Sequence, residues 1–260
     1  MNVEDKVIVI TGAGRGLGRA IAQTLAANAA RLALVDINEE SLTQAGAACQ
    51  DAGAQTRTYP VDVTDERAVE QLFNDVAGDF GQIDGLVNNA GVTRDALLVK
   101  VKDGNVTGKM SSEDWDTVMA VDLRSVFLCT REAVVKMIER GSAERAPGGS
   151  GLIVNISSIS RAGNIGQTNY AAAKAGVVAM TTTWAGELAR HGIRVAAVAP
   201  GFCNTRLVAN MKENMRERLK EKIPLKRLGD PDEIGQTVLF IFQNEFVHGR
   251  VIEVDGGMRL

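Results

Sequence analysis

Residues 7–18 read Val7-Ile8-Val9-Ile10-Thr11-Gly12-Ala13-Gly14-Arg15-Gly16-Leu17-Gly18. A short, unbroken aliphatic run of this kind reads as a strand buried on both faces. The alternating glycines after it permit a tight turn and let backbone approach a ligand closely. Residues 17–28 then read as a helix. Its first turn would aim unpaired N–H groups and a partial positive charge at the loop, which suits a pyrophosphate. A glycine-rich turn without a ligand is the plainer alternative. Placement between a first strand and a first helix weighs against it.

Outward from this stretch the chain alternates short apolar runs with longer helical ones. Strands are expected at 7–10, 32–35, 56–61, 85–88, 152–156, 195–198 and 251–254. Helices are expected near 17–28, 39–51, 65–80, 112–119, 125–140, 169–191, 207–221 and 231–243. Several strands are apolar nearly throughout, as in a parallel sheet covered on both sides. The expectation is one doubly wound α/β domain over residues 1–260, seven parallel strands flanked by helices on both faces. Two segments break the rhythm. Residues 141–151 have the composition of a flexible surface loop. Residues 97–110, LLVKVKDGNVTGKM, fit a small hairpin turning at Asp103-Gly104, and equally an irregular solvated loop.

Composition narrows the function. Hydrophobic residues make up 45% of the 260 and charged ones 23%, enough to bury a full core. A net charge of −3 argues against a nucleic-acid binder. Cys49, Cys129 and Cys203 are far apart and histidines are scarce, so no metal site or disulfide framework is expected. No apolar run reaches the length of a membrane span, and no signal peptide is evident. A cytoplasmic enzyme is the default.

Two carboxylates and one tyrosine–lysine pair carry the chemistry. Asp36 ends the second strand about 20 residues past the glycines, where a carboxylate can accept from a ribose hydroxyl. A 2′-phosphate there would meet like charge, so Asp36 favours NAD(H) over NADP(H). Arg15 pulls the other way, since a guanidinium can pair with phosphate. Asp36 also fits the N-cap of the next helix. Asp62, with Val63 beside it, follows the third strand and is placed to reach an adenine ring or to cap the turn at Thr64-Asp65. Tyr170 and Lys174 are one helical turn apart, on one face. A free phenol has a pKa of about 10. A neighbouring ammonium lowers it, which would make Tyr170 an acid/base group for a carbonyl–alcohol pair. Taken alone, the pair reads as chance on an exposed helix face.

Read together, the motifs resemble the short-chain dehydrogenase/reductase family over essentially the whole chain. They are Thr11-Gly12-x-x-x-Gly16-x-Gly18, Asn88-Asn89-Ala90-Gly91, a serine ending the fifth strand, Tyr170-x-x-x-Lys174 and Pro200-Gly201. The resemblance implies a Rossmann-type fold and an NAD(H) or NADP(H) cofactor. It implies that Tyr170 is the general acid or base, that Lys174 lowers its pKa and holds the nicotinamide ribose, and that Ser158 polarises the substrate carbonyl. Gly12, Arg15, Gly16, Leu17 and Gly18 would hold the pyrophosphate. Asn89, Ala90, Gly91, Pro200, Gly201 and Thr205 would line the cofactor pocket. The family's serine-to-tyrosine spacing fits Ser157, whereas the strand register favours Ser158 and places a deletion in 159–168. The family's fourth catalytic residue is an asparagine. Asp122 stands there, in Val121-Asp122-Leu123, and a carboxylate cannot donate a hydrogen bond.

Within the family the chain is most similar to the bacterial 3-oxoacyl-acyl-carrier-protein and acetoacetyl-CoA reductases. The runs that carry this are Asn88–Asp95, Gly166–Tyr170, Val198–Phe202 and Val254–Gly257, in sequence NNAGVTRD, GQTNY, VAPGF and VDGG. The implied reaction is reduction of a 3-oxoacyl thioester in fatty acid biosynthesis. Other family substrates (a steroid, a sugar, a small hydroxy compound) and a lapsed dinucleotide-binding subunit are the competing readings. The carrier-docking arginine of such reductases corresponds to His191, with Arg190 and Arg194 beside it as replacements. A substrate lid is expected over 205–228. A homotetramer is expected through the two long helices and the last strand.

Overall fold

Alternate side chains of the first strand, β1 (Val7–Thr11), enter two different cores. Ile8 and Ile10 pack with Ile21 and Leu25, Leu42, and Val238 and Phe242 on one face. Val7 and Val9 pack with Leu72 and Phe73, Leu128 and Met137 on the other. A strand buried on both faces needs no polar alternation, and VIVI has none. The structure is a computed structural model that describes residues 1–141, 151–205, 208, 211 and 213–260. The loop expected over 141–151 lies almost wholly outside them.

The central sheet is parallel and seven-stranded. Its strands are β1, β2 (Arg31–Asp36), β3 (Thr56–Pro60), β4 (Gly85–Asn88), β7 (Gly151–Ile156), β8 (Ile193–Pro200) and β9 (Val251–Val254). Their order is β3-β2-β1-β4-β7-β8-β9. Helices α1 (Gly16–Ala26), α2 (Glu39–Asp51) and α8 (Pro231–Gln243) cover one face. Helices α3 (Glu66–Phe80), α5 (Ser125–Gly141) and α6 (Thr168–Leu188) cover the other. The doubly wound α/β expectation holds. The chain leaves β1 in one direction to build β2 and β3, and β4 lies on its opposite side. The carboxyl ends of β1 and β4 therefore flank the crevice where such sheets bind ligands.

A buried polar chain crosses the sheet near that end. Asn88 Nδ2 donates to Thr130 Oγ1 and to Asn155 Oδ1, both at 2.9 Å, and Asn155 Nδ2 donates to Thr181 Oγ1 at 2.9 Å. Cys49, Cys129 and Cys203 are buried and free. Burial pushes the Cys129 thiol up to about 12, which suits a small hydrophobe.

Residues 97–110 do form a hairpin, β5 (Val99–Lys102) against β6 (Asn105–Lys109). Asp103 at φ 50° and Gly104 at φ 77° supply the two left-handed residues that a two-residue turn requires. Helix α4 (Ser112–Met119) passes through one wide turn, Ala120–Arg124, into α5. Of the helix expected near 207–221, the described part is α7 (Glu213–Lys222), and residues 207, 209, 210 and 212 lie outside the described residues.

Arg194 is not available for docking, contrary to the sequence expectation. It is buried, and its guanidinium donates to the carbonyls of Ile241, Phe242, Asn244 and Val247 at 2.9–3.2 Å. These are the orphan acceptors at the carboxyl end of α8. Arg190 donates instead to His191 at 3.1 Å.

The opposite end of α8 has a capping box. Asp230 accepts from Asp232 N–H, and Glu233 accepts from Asp230 N–H at 2.7 Å. Arg227, paired with Glu233 at 2.6 Å, and that N–H hold the Glu233 carboxyl down at about 2. A depressed carboxyl stabilises the fold above its unfolded value and loses that effect as pH falls through the folded one. Asp230→Ala is expected to cost about 1 kcal/mol in urea unfolding. Glu233→Gln should fall below wild type at neutral pH and match it near pH 2. An equal deficit at both pH values would refute the linkage.

Candidate active site

Thr11, the last residue of β1, ties the glycine loop to the turn after β4. Its hydroxyl accepts from the N–H groups of Asn89 and Ala90 at 3.0 and 3.1 Å. Asn89 Nδ2 returns two bonds, to Thr11 O at 3.1 Å and Gly12 O at 3.0 Å. Asn89 thus spends its amide on building the loop, leaving Ala90 and Gly91 at the crevice. A side chain at Gly18 would place its Cβ 2.1 Å from Gly12 O, so only glycine fits there.

The residues of this loop fit a dinucleotide phosphate. Helices α2, α3, α4 and α8 begin under the side-chain caps Asn38, Asp65, Ser111 and Asp230. Helix α1 begins at extended Arg15 with no side-chain cap and no carboxylate in its first turn. Its N–H groups stay available to an external anion. Arg15 is exposed at the mouth, Leu17 packs inward on the core, and Thr205 Cγ2 lies 3.8 Å from the Cβ position of Gly16. Pro200 ends β8, and Gly201 N–H donates to Val254 O at 2.9 Å.

Asp36 Oδ2 accepts from Gly14 N–H and Oδ1 from Asn38 N–H, each at 3.0 Å. The carboxylate therefore sits against the glycine loop. It is not the cap of α2, a part taken by Asn38, which accepts from Ser41 N–H at 2.8 Å. Asp62 Oδ1 holds Thr64 by its N–H and hydroxyl at 2.9 and 2.8 Å. That is the turn-capping alternative read from sequence, with Val63 buried beside it.

Tyr170 and Lys174 share one face of α6, and the ammonium lies 5.5 Å from the centre of the phenol ring. Lys174 is buried, donates to Ile156 O at 3.1 Å and faces Asp122 Oδ2 at 3.2 Å. Asp122 is buried on the wide turn after α4, and its Oδ1 accepts from Val92 N–H at 2.8 Å. A Cβ at Gly91 would stand 2.7 Å from Asp122 Oδ2, so glycine is what admits the carboxylate. Burial opposes the charge on both partners. Burial raises the Asp122 carboxyl against the pull of Lys174, whereas for Lys174 the attraction of Asp122 and Tyr170 outweighs burial and the ammonium is raised.

The phenol behaves differently from the simple expectation. Burial pushes Tyr170 above its ordinary value. Lys174 pulls it down, and Asp122 opposes that pull with the smaller effect of the two. The neighbouring Ser158 hydroxyl lowers it further. The two serines divide accordingly. Ser157 Oγ donates to Lys174 O at 2.9 Å inside the fold, while Ser158 also accepts from Ser160 N–H at 3.1 Å.

Sequence reasoning missed Asn169. It is fully buried, donates to Arg94 O at 3.0 Å and Asp114 O at 3.2 Å, and accepts from Tyr170 N–H at 2.8 Å. It fixes the first turn of α6 against the root of the hairpin. A polar side chain directly before the tyrosine was the only signal.

Residues 12–259 match a family model described as enoyl-(acyl carrier protein) reductase. The chain is 42% identical to the 3-oxoacyl-(acyl-carrier-protein) reductase FabG of Thermotoga maritima, over 99% of both chains. It is 36% identical to FabG of Escherichia coli, over 99% of both. It is also 36% identical to the (3R)-3-hydroxyacyl-CoA dehydrogenase of Mus musculus, over 99% of this chain and 98% of that one. The chain belongs to the short-chain dehydrogenase/reductase family.

The hydrogen bonds separate the two serines experimentally. Ser158→Ala should lower kcat/KM by about 10²- to 10³-fold, as loss of an oxyanion donor does. Ser157→Ala should cost about 1 kcal/mol of stability with kcat near wild type. The reverse pattern would exchange their roles.

Proposed function

We propose that this chain is a nicotinamide-dependent reductase that converts a 3-oxoacyl thioester, on acyl-carrier protein or coenzyme A, to the 3-hydroxyacyl thioester. The observation that carries the reading is Tyr170 with a buried Lys174 one turn on and Ser158 beside it, next to a glycine loop with an uncapped helix. The substrate class is supported by the names of relatives that match along the full chain. A bound nicotinamide supplies the hydride to the carbonyl carbon. Gly12, Arg15, Gly16, Leu17 and Gly18 would hold its pyrophosphate, and Asp62 and Val63 would border its adenine. Asn89 shapes the loop, and Ala90, Gly91, Pro200, Gly201 and Thr205 wall the pocket. Asp36 accepts from the ribose hydroxyls and repels a 2′-phosphate, which favours NAD(H).

The substrate oxygen accepts from Ser158 and Tyr170 together. Tyr170 passes its proton to that oxygen as the new C–H bond forms, so the ketone becomes a hydroxyl group. A phenol held above its ordinary value keeps its proton at neutral pH. That state serves reduction. Lys174 donates to Ile156 O and pairs with Asp122, and has a donor left for a ribose hydroxyl. Residues 205–228 serve as the lid. Within them Ile223 packs only with a small cluster around Ile159 and Met258, apart from the two cores, as a movable segment must. The exposed Phe127 and Val135 on α5 support a homotetramer through α5, α6 and β9. Among the described residues no helix is long and apolar enough to cross a membrane. We place the enzyme in the cytoplasm.

Acetoacetyl-CoA should be reduced with either nicotinamide, with NADH preferred, and Tyr170→Phe should abolish turnover while still binding cofactor. Activity on an unrelated ketone, with none on acetoacetyl-CoA, would overturn the substrate assignment.

Asp122 acts on Tyr170 through Lys174 and through space. The charged groups around the phenol are Lys174 on α6, Asp122 on the turn after α4, and Asp95 at the hairpin root. Asp122→Asn removes one source of upward pressure. The pH at which reduction fails should therefore move down in kcat/KM profiles. An unmoved midpoint, with only the rate reduced, would make Asp122 a packing residue.

A further inference from the structure

The hairpin leaves an apolar surface that no described residue of the folded chain covers. Leu97, Leu98, Val99, Val101 and Val106 are all exposed, Leu98 at 66% and Val106 at 68%. Val101 and Val106 face each other across the ribbon. Ile165, at 91%, lies in the adjoining loop, where Ala96 N–H donates to Gly166 O at 2.8 Å. Aliphatic exposure on this scale marks an interaction site, and an isolated two-stranded ribbon is marginal without a partner.

The same ribbon carries Lys100, Lys102 and Lys109, all exposed. Among the described residues none of the three has an acidic partner, and Asp103 at the turn is the ribbon's one carboxylate. Other exposed cations are paired in the fold, as in Arg57–Asp79, Arg131–Glu66 and Arg227–Glu233. The ribbon also stands beside the site. Its root is held by Gln167, which donates to the Asp95 carboxylate, and by Asn169, which grips Arg94 O and the N–H of Tyr170.

We propose that residues 97–109 dock an acidic protein with an apolar contact face, the carrier that presents the thioester to Tyr170. This rests on the reading of the site as a thioester reductase. Charge favours that occupant over a second copy of the chain. A twofold contact through the ribbon would set Lys100, Lys102 and Lys109 against the same lysines. The position favours it as well, since a carrier must stop at the rim while its substrate reaches in.

The test compares wild type with the full-length triple variant Lys100→Glu, Lys102→Glu, Lys109→Glu. Substrates are the acetoacetyl group on a bacterial acyl-carrier protein, on coenzyme A and on N-acetylcysteamine. The variant should raise KM for the carrier-bound substrate by about tenfold and remove its dependence on salt, with kcat and both carrier-free substrates unchanged. Val101→Thr with Val106→Thr should raise the same KM while leaving the salt dependence in place. An unchanged carrier KM, an equal loss on all three substrates, or a changed sedimentation coefficient with an unchanged carrier KM each overturns the proposal. If wild type reduces none of the thioesters, the functional reading fails and takes the docking surface with it. If it reduces all of them and the lysines make no difference, only the docking surface falls.

Discussion

Lys174 keeps its ammonium out of water by two contacts, the Ile156 carbonyl at 3.1 Å and the Asp122 carboxylate at 3.2 Å. Desolvating a charge is expensive, and removing one member of such a pair typically costs about 3–5 kcal/mol because the other is left uncompensated. Much of the surrounding architecture is what this arrangement needs. The wide turn at Ala120–Arg124 carries Asp122 into the interior, Gly91 leaves room for its oxygen, and Val92 supplies the remaining hydrogen bond. Ser157 fastens the backbone of Lys174 itself. The cation is strong as a positioning device and weaker as an electrostatic one, because its counterion stands beside it.

That balance separates geometry from titration. An amide at position 122 would let the ammonium act on the phenol with its full field. With the carboxylate there, burial chiefly and Asp122 in addition hold Tyr170 above its ordinary value, and Lys174 keeps its counterion.

Most of the fold was legible because apolar runs in this chain are short, unbroken and evenly spaced between helices. All seven strands of the sheet fall within two residues of their expected positions, six of them on aliphatic runs; β3, TRTYP, is the exception. The glycine loop, Tyr170, Lys174 and the Ser157–Ser158 pair could be read because their residue types are restrictive. Other features depend on contacts distant in sequence, to which local pattern is blind. Arg194 looked like a surface arginine, and its four carbonyl partners lie some 50 residues on in the chain, in and after α8. Asp36 could equally have capped α2, until Asn38 was seen to hold Ser41. The hairpin stayed ambiguous because valine–lysine alternation suits a solvated loop as well as a ribbon. The left-handed pair Asp103-Gly104 resolves it.

The strands that made the sheet easy to find have a weakness of their own. With both faces apolar, a strand slipped by one residue would still bury aliphatic groups on each side, so hydrophobicity does little to specify alignment. Asn88 and Asn155 sit directly opposite each other on β4 and β7 and share a hydrogen bond, with Thr130 and Thr181 completing the chain. A slip would strand these amides without partners in a dry interior, at about 1–3 kcal/mol for each group. The polar row therefore acts as an index mark during assembly, fixing which rung meets which in a sheet whose own surfaces could not tell.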